Sequence, residues 1–165
     1  MEAIFTRTSV RSYESRPVED EKIEKILRAA MAAPSAMNQQ PWEIYVVTNK
    51  STLRQISEAS PYAGMTADAP VAFVLCYRKT GIKVPELVEV DMSLATENLL
   101  LEIEALGLGG VMLGIAPFEE RMEKVAKVLG LPEQLAVFTV VPFGYPAKKN
   151  PQQDRYDESR VHYVK

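Results

Sequence analysis

The apolar positions of this chain change period along its length, and each change marks an element. After the turn at Pro17, residues Asp20 to Ala33 carry Ile23, Ile26, Leu27, Ala30 and Met31 at three- and four-residue intervals, with charges on the other face. That spacing predicts an amphipathic helix, and Pro34 ends it because the residue before a proline avoids helical backbone angles. The polar stretch Ser35 to Pro41 then feeds a strand predicted over Trp42 to Thr48. Ser51 can cap a short helix through Ser57, and the apolar run Ala69 to Tyr77 reads as a buried strand. A loop containing Gly81 covers Arg78 to Pro85. Helices are expected over Glu89 to Leu106 and over Glu119 to Leu129, the latter closed by Gly130. Strands are expected over Gly110 to Ile115 and Leu135 to Phe143. The polar, proline-containing tail from Tyr145 onward is expected to wrap over a surface.

The helix from Glu89 to Leu106 carries the most information. Met92, Leu94, Ala95, Leu99, Leu100, Leu101, Ile103, Ala105 and Leu106 cover nearly its whole circumference. A helix apolar on almost all sides must be buried on almost all sides. A small domain usually leaves each helix one solvent face, so the pattern points to a second subunit against this one. The competing arrangement encloses the helix within a single chain.

Composition narrows the class. The 165 residues are expected to form one domain spanning 1–165, large enough to bury roughly two thirds of its unfolded surface. The 47% apolar and 25% charged content is that of an ordinary globular protein. A net charge of -3 provides no field for nucleic acid or an anionic membrane, so neither is expected as a partner. The single cysteine, Cys76, lies in the apolar run VAFVLCY, which suits a buried thiol in a reducing compartment. The one histidine, His162, has no second His or Cys with which to hold a metal or form a catalytic dyad. No signal segment or membrane span is read, and a cytoplasmic location is expected.

Three segments could carry chemistry. Arg7-Thr8-Ser9-Val10-Arg11 sets two guanidiniums four residues apart with two hydroxyls between them, a donor set suited to a phosphate. Alone, such a pair is more often a solvated face. Pro34-Ser35-Ala36-Met37-Asn38-Gln39-Gln40-Pro41-Trp42 is a proline-bracketed loop on which Asn38 and Gln40 each offer donor and acceptor groups to the polar edge of a heterocycle. The bland alternative is a connection between helix and strand. Gly107-Leu108-Gly109-Gly110-Val111-Met112-Leu113-Gly114 is not a dinucleotide fingerprint, because its third glycine would fall on Met112 and it runs from helix to strand. Its glycines suit a helix cap and a backbone approached closely by something flat.

Taken in order, TRTSVR, APSAMNQQPW, DAPVAFVLC, VDMSLATENLLLEIEALGLGG leading into VMLG, and the closing FGYPA with DRYDESRVHY resemble the nitroreductase family, specifically its short members. The resemblance covers essentially the full length, and APSxxNxQPW is its most specific part. It implies an α+β sandwich, a central mixed sheet flanked by helices, built as an intertwined homodimer with the long central helix at the interface. It further implies two FMN molecules in clefts between subunits, reduced by NADH or NADPH. By the same resemblance, Arg7, Thr8, Ser9 and Arg11 hold the FMN phosphate and ribityl chain, and Arg155 completes the phosphate site. Pro34, Ser35, Ala36 and Asn38 form the loop given by the other subunit, with Gln40 in support, while Met112, Leu113 and Gly114 lie along the flavin.

There are departures. Position 112 is often tryptophan in the family, and Thr8 stands where a basic residue is common. The segment from Thr66 to Pro85 lacks the inserted helices that form a lid in longer members, which implies an open flavin face and loose substrate selection. The implied activity is hydride transfer from NAD(P)H to a nitroaromatic, a quinone or a related small-molecule electrophile in ping-pong order. No side chain need be nucleophile or acid, and no metal is expected. A non-catalytic module that stores or senses FMN would share every binding motif. Dehalogenation or flavin destruction would need lid residues that this short chain lacks. The pattern leaves open whether Tyr62, Met65 or the Lys79–Lys83 loop meets substrate.

Overall fold

A computed structural model describes residues 2–148 and 150–165. Its helices are α1 (Ala3–Thr6), α2 (Asp20–Met31), α3 (Lys50–Ser57), α4 (Val88–Ala105) and α5 (Glu119–Leu129). Its strands are β1 (Trp42–Val47), β2 (Val71–Arg78), β3 (Gly109–Gly110), β4 (Leu113–Gly114) and β5 (Leu135–Gly144). The sheet runs β1-β2-β5-β3, with β4 also on β5, and every ladder is antiparallel. The expected mixed character comes from one parallel bridge, Ser9 to Gly110, which lays the TRTSVR segment along the β3 edge.

Two-residue alternation builds a three-layer sandwich around β2. Val71, Phe73 and Leu75 point to one face and join α2 and α4 through Ile26, Ala30, Met92, Ala95, Leu99 and Ile103. Ala72, Val74 and Cys76 point to the other and join α3 and α5 through Leu53, Ile56 and Val125. A strand apolar on both faces is buried on both, which is why the run resembles no amphipathic strand. Opposite it, Phe138 is the extra residue of a bulge, since Leu75 pairs with Thr139 and Cys76 with Val137. Phe73 and Phe143 meet in a tilted pair with ring centres 4.7 Å apart.

The helix boundaries follow the pattern closely, with two corrections at the finer level. The cap of α3 is Asn49, whose side chain accepts from the Thr52 N–H at 3.0 Å, rather than Ser51. The strand expected over Gly110 to Ile115 is split in two. Val111 and Met112 stand opposite Pro142 and Val141 in a constant register, and Val111 N donates to the Pro142 carbonyl at 3.3 Å. Pro142 has no N–H to return that bond, so the ladder opens there and Met112 turns outward.

The glycines after α4 have distinct reasons. Gly107 adopts a left-handed φ of 74° and closes the helix, with Leu108 N reaching back to the Ile103 carbonyl at 3.0 Å. A β-carbon on Gly109 would stand 2.5 Å from Val10 Cγ2 and 2.8 Å from Val10 Cβ. The close neighbour at Gly109 is therefore the N-terminal segment of the chain itself, not a flat ligand. Gly109→Ala is expected to destabilise the fold by about 1–3 kcal/mol, as overpacking does, because a valine branch cannot swing aside. Urea unfolding checks this; a variant as stable as the parent would refute the close packing.

Cys76 is fully buried, and burial, with the Glu43 carboxylate opposite it adding to the effect, pushes its thiol up to about 12. Because the thiolate is the reactive form, a chromogenic disulfide reagent at pH 8 is expected to leave the folded protein untouched and to label it fully in denaturant. Rapid labelling without denaturant would contradict the burial.

Among the described residues no helix is long and apolar enough to cross a membrane.

Candidate functional site

The N-terminal motif is held in place by its own backbone. Val10 N donates to the Gly110 carbonyl at 3.0 Å, Glu14 N to the Tyr145 carbonyl at 2.9 Å, and Ala147 N to the Ser12 carbonyl at 3.0 Å. The Tyr13 hydroxyl lies 2.8 Å from the Val10 carbonyl and 3.0 Å from the Pro142 carbonyl, and burial raises its pKa further above the phenol range. These bonds fix the segment against β3 and β5 and leave Arg11 exposed at the surface.

Two cavities meet at Arg11. The first, of about 360 Å³, is lined by Thr8, Ser9, Arg11, Asn150, Pro151, Gln153 and Arg155. Its lining is mostly polar and brings together residues from both ends of the chain. Asn150 Nδ2 donates to the Ser9 carbonyl at 2.7 Å, which ties the start of the tail to the motif. The second, of about 400 Å³, is lined by Arg11, Ser60, Tyr62, Met65, Val111, Met112, Leu113, Gly114 and Arg121. The break in the sheet at Pro142 is what turns Met112 into this space. Below it, the buried Thr139 hydroxyl donates to the Leu113 carbonyl at 2.6 Å and anchors β4.

Of the residues proposed from the sequence, Thr8, Ser9, Arg11 and Arg155 line the first cavity, and Met112, Leu113 and Gly114 the second. Arg7 lines neither. Its Nε lies 3.6 Å from Glu97 Oε1, so it faces α4 instead. Pro34, Ser35, Ala36, Asn38 and Gln40 also line neither cavity. Met37, Asn38 and Gln40 have left-handed φ angles of 50°, 51° and 45°, and their side chains are exposed.

Sequence reasoning missed Arg121, Ser60, Asn150 and Gln153. Arg121 Nη1 donates to the Gly114 carbonyl at 2.7 Å, its guanidinium stacks 4.0 Å over Phe118, and the Tyr62 ring is 6.0 Å away. In the sequence it is one charge among several on an amphipathic helix, with nothing to single it out. Tyr62 and Met65, left open by the sequence, do line the second cavity, whereas Lys83 turns toward the Ser35–Gln40 loop. The FGYPA segment has a structural task. Tyr145 donates to Glu19 Oε2 at 2.7 Å and accepts from Lys22 Nζ at 2.9 Å, with Arg16 3.8 Å over its ring. The Tyr145 bond holds the Glu19 carboxyl down to about 2.

The nitroreductase family model matches residues 4–61 and 57–145. The chain belongs to the nitroreductase family. A Methanothermobacter thermautotrophicus protein that carries the name NADH dehydrogenase/NAD(P)H nitroreductase is 42% identical over 165 residues, covering all of this chain and 86% of the relative. A Clostridium acetobutylicum structure named for NADH oxidase is 43% identical, with a TM-score of 0.95 over 99% of each chain. An FMN-dependent nitroreductase of Clostridium difficile R20291 superposes with a TM-score of 0.92 at 26% identity, covering 100% of this chain and 99% of that one. Within the nitroreductase fold, the two cavities of this chain lie where its N-terminal motif, its tail and the broken strand β3–β4 come together.

Proposed function

We propose that this nitroreductase-family chain is an FMN-dependent oxidoreductase that passes hydride from NADH or NADPH to small electrophilic acceptors such as nitroaromatics and quinones. The observation that carries this reading is the meeting of Arg11 and Arg155, from opposite ends of the chain, with Thr8, Ser9 and Asn150 on one polar cavity. Forked guanidiniums and neutral hydroxyl and amide donors are the chemistry that a phosphate monoester requires. The donor set therefore fits FMN, with Arg11 leading from the phosphate end toward Met112, Leu113 and Gly114.

When bound, FMN supplies the two-electron chemistry between nicotinamide and acceptor. The chain's own residues bind and orient it. Arg11 and Arg155 neutralise the phosphate, Ser9 and Thr8 add donors, and the exposed Met112 gives a pliable apolar wall. Arg121, already committed to the Gly114 carbonyl by one nitrogen, keeps other N–H groups for negative charge at the cavity rim. Donor and acceptor take turns at one open face, which gives ping-pong order.

The homodimer belongs to the same proposal. In one chain, α4 leaves Val90 and Leu94 52% and 41% exposed, and every residue from Asn150 to Lys165 is exposed, Tyr156, Tyr163 and Val164 among them. Apolar groups arranged this way along a helix and a tail need a cover. A second copy supplies it, and lends its Pro34, Ser35, Ala36, Asn38 and Gln40 to the neighbour's flavin. A cytoplasmic setting accords with the single unpaired cysteine.

The test is direct. The purified protein, with FMN added if needed, is expected to show flavin absorbance that bleaches anaerobically on adding NADH or NADPH. A protein that takes up no FMN would end the proposal, and one that binds FMN without bleaching would be a storage or sensing module.

A further inference from the structure

The Ser35–Gln40 loop is costly to hold. Three of its residues carry a β-carbon at left-handed φ, a conformation that persists only where the surroundings over-determine it. Those surroundings centre on a buried carboxylate. Asp91, in the first turn of α4, is 2% exposed and accepts from Ala36 N at 2.9 Å on Oδ1 and from Gln39 Nε2 at 2.7 Å on Oδ2. Gln39, itself buried, accepts on its Oε1 from Lys83 N at 3.2 Å and Val84 N at 2.9 Å. Arg78 Nη2 donates to the Gln39 and Gln40 carbonyls, and Ser35 Oγ accepts from Gln40 N at 3.0 Å.

A buried acidic residue is expensive unless its oxygens are satisfied, and both donors to Asp91 are neutral groups tied to this one loop. Gln39 cannot turn over, because its amide nitrogen would then face two N–H groups. The network is thus directional. It leads from the central helix, through Gln39, to the face of the loop that carries the exposed Met37 and Asn38.

We infer that Asp91 and Gln39 are a positioning pair that sets the Ser35–Gln40 loop for its meeting with the flavin, an inference that rests on the function proposed above. Neither residue touches the cofactor; both act through the loop backbone. Asp91→Asn leaves one acceptor oxygen for two donors, so its N–H₂ must face either the Gln39 amide or the Ala36 N–H and one of the two bonds is lost. Gln39→Glu sets two carboxylates face to face. The double variant Asp91→Asn/Gln39→Glu restores one donor and one acceptor in reverse order. The carboxylate introduced at position 39 still accepts from Lys83 and Val84, and the only bond given up is the one of 3.2 Å from Gln39 Nε2 to the Val84 carbonyl.

The experiment compares the two single variants, the double variant and the parent by three readouts. These are hydrogen exchange at the Ala36 amide without flavin, FMN affinity by fluorescence titration, and the kcat and KM of NAD(P)H oxidation. Each single variant is expected to speed Ala36 exchange and weaken FMN binding by about tenfold, the equivalent of one lost charge-assisted hydrogen bond. Its kcat should fall while KM for the nicotinamide stays within about twofold, since the loop is misplaced rather than the site closed. The double variant should recover all three measures to within about threefold of the parent.

Unchanged loop exchange in folded single variants would overturn the pairing, as would a double variant no better than the worse single one. Faster exchange with parental FMN affinity and kcat would make the pair merely structural and overturn the positioning role. Should a single variant fail to fold, the double variant decides by the same readouts. If the parent itself takes up no FMN, the functional proposal fails on its own, and flavin-free exchange at Ala36 still tests the pair.

Discussion

Alanine at both Arg11 and Arg155 is expected to leave the protein colourless. In the proposed phosphate site each guanidinium would give a charge-assisted contact of about 1.5–3 kcal/mol, so each single variant should weaken FMN binding by about ten- to a hundredfold. The two residues come from opposite ends of the chain yet line one cavity, so their losses fall on one anion and compound. Arg11→Lys keeps the charge but loses the fork, and should lie between parent and alanine. Arg7→Ala should do less, because Arg7 lies 3.6 Å from Glu97 and outside the cavity. Equilibrium dialysis and fluorescence titration at two salt concentrations measure all five variants. Flavin retained by both alanine variants as firmly as by the parent would remove the phosphate site from this location.

A glutamate at Leu94 is expected to turn a dimer into monomers. In the proposed homodimer, two-fold symmetry would bring the same face of α4 against itself or its neighbourhood, so one substitution would act twice in each interface. An unpaired buried charge costs about 3–5 kcal/mol, enough to dissolve most interfaces of moderate size. Because the Pro34–Gln40 loop lines neither cavity of its own chain, the monomer should also lose flavin while keeping its fold. Light scattering on the eluting protein and circular dichroism separate the two effects. Val46→Glu, at an exposed position of β1, serves as the control expected to stay dimeric. A parent that is monomeric and yellow, or a Leu94→Glu dimer, would refute the shared site.

The contrast between Gln39 and its neighbours shows where reading a sequence stops. Asn38 and Gln40 attract notice as polar groups on a proline-bracketed loop, and both prove exposed. The residue that organises the loop is Gln39, whose partners Asp91 and Val84 are more than forty positions away. One partial signal was present: Asp91 falls among the apolar positions of α4, while Glu89 and Glu97 lie on its exposed side, and a buried acid must find donors somewhere. Arg121 left no such trace, since a charge on an amphipathic helix is ordinary until a cavity lies beside it.

Local chemistry settled much of the rest. Periodicity defined α2, the long all-round apolar stretch marked α4, Gly130 ended α5, and the doubly apolar run at β2 announced a strand covered on both faces. These properties depend on neighbours three or four residues away, which the sequence displays directly. Tertiary structure alone decided that Pro142 would break the facing strand, that Gly109 would make room for Val10, and that Arg11 would meet Arg155 while Arg7 turned to Glu97. Each depends on a partner brought close only when the sheet closes, and hydrogen-bond complementarity or packing across that gap has no period to read along the chain.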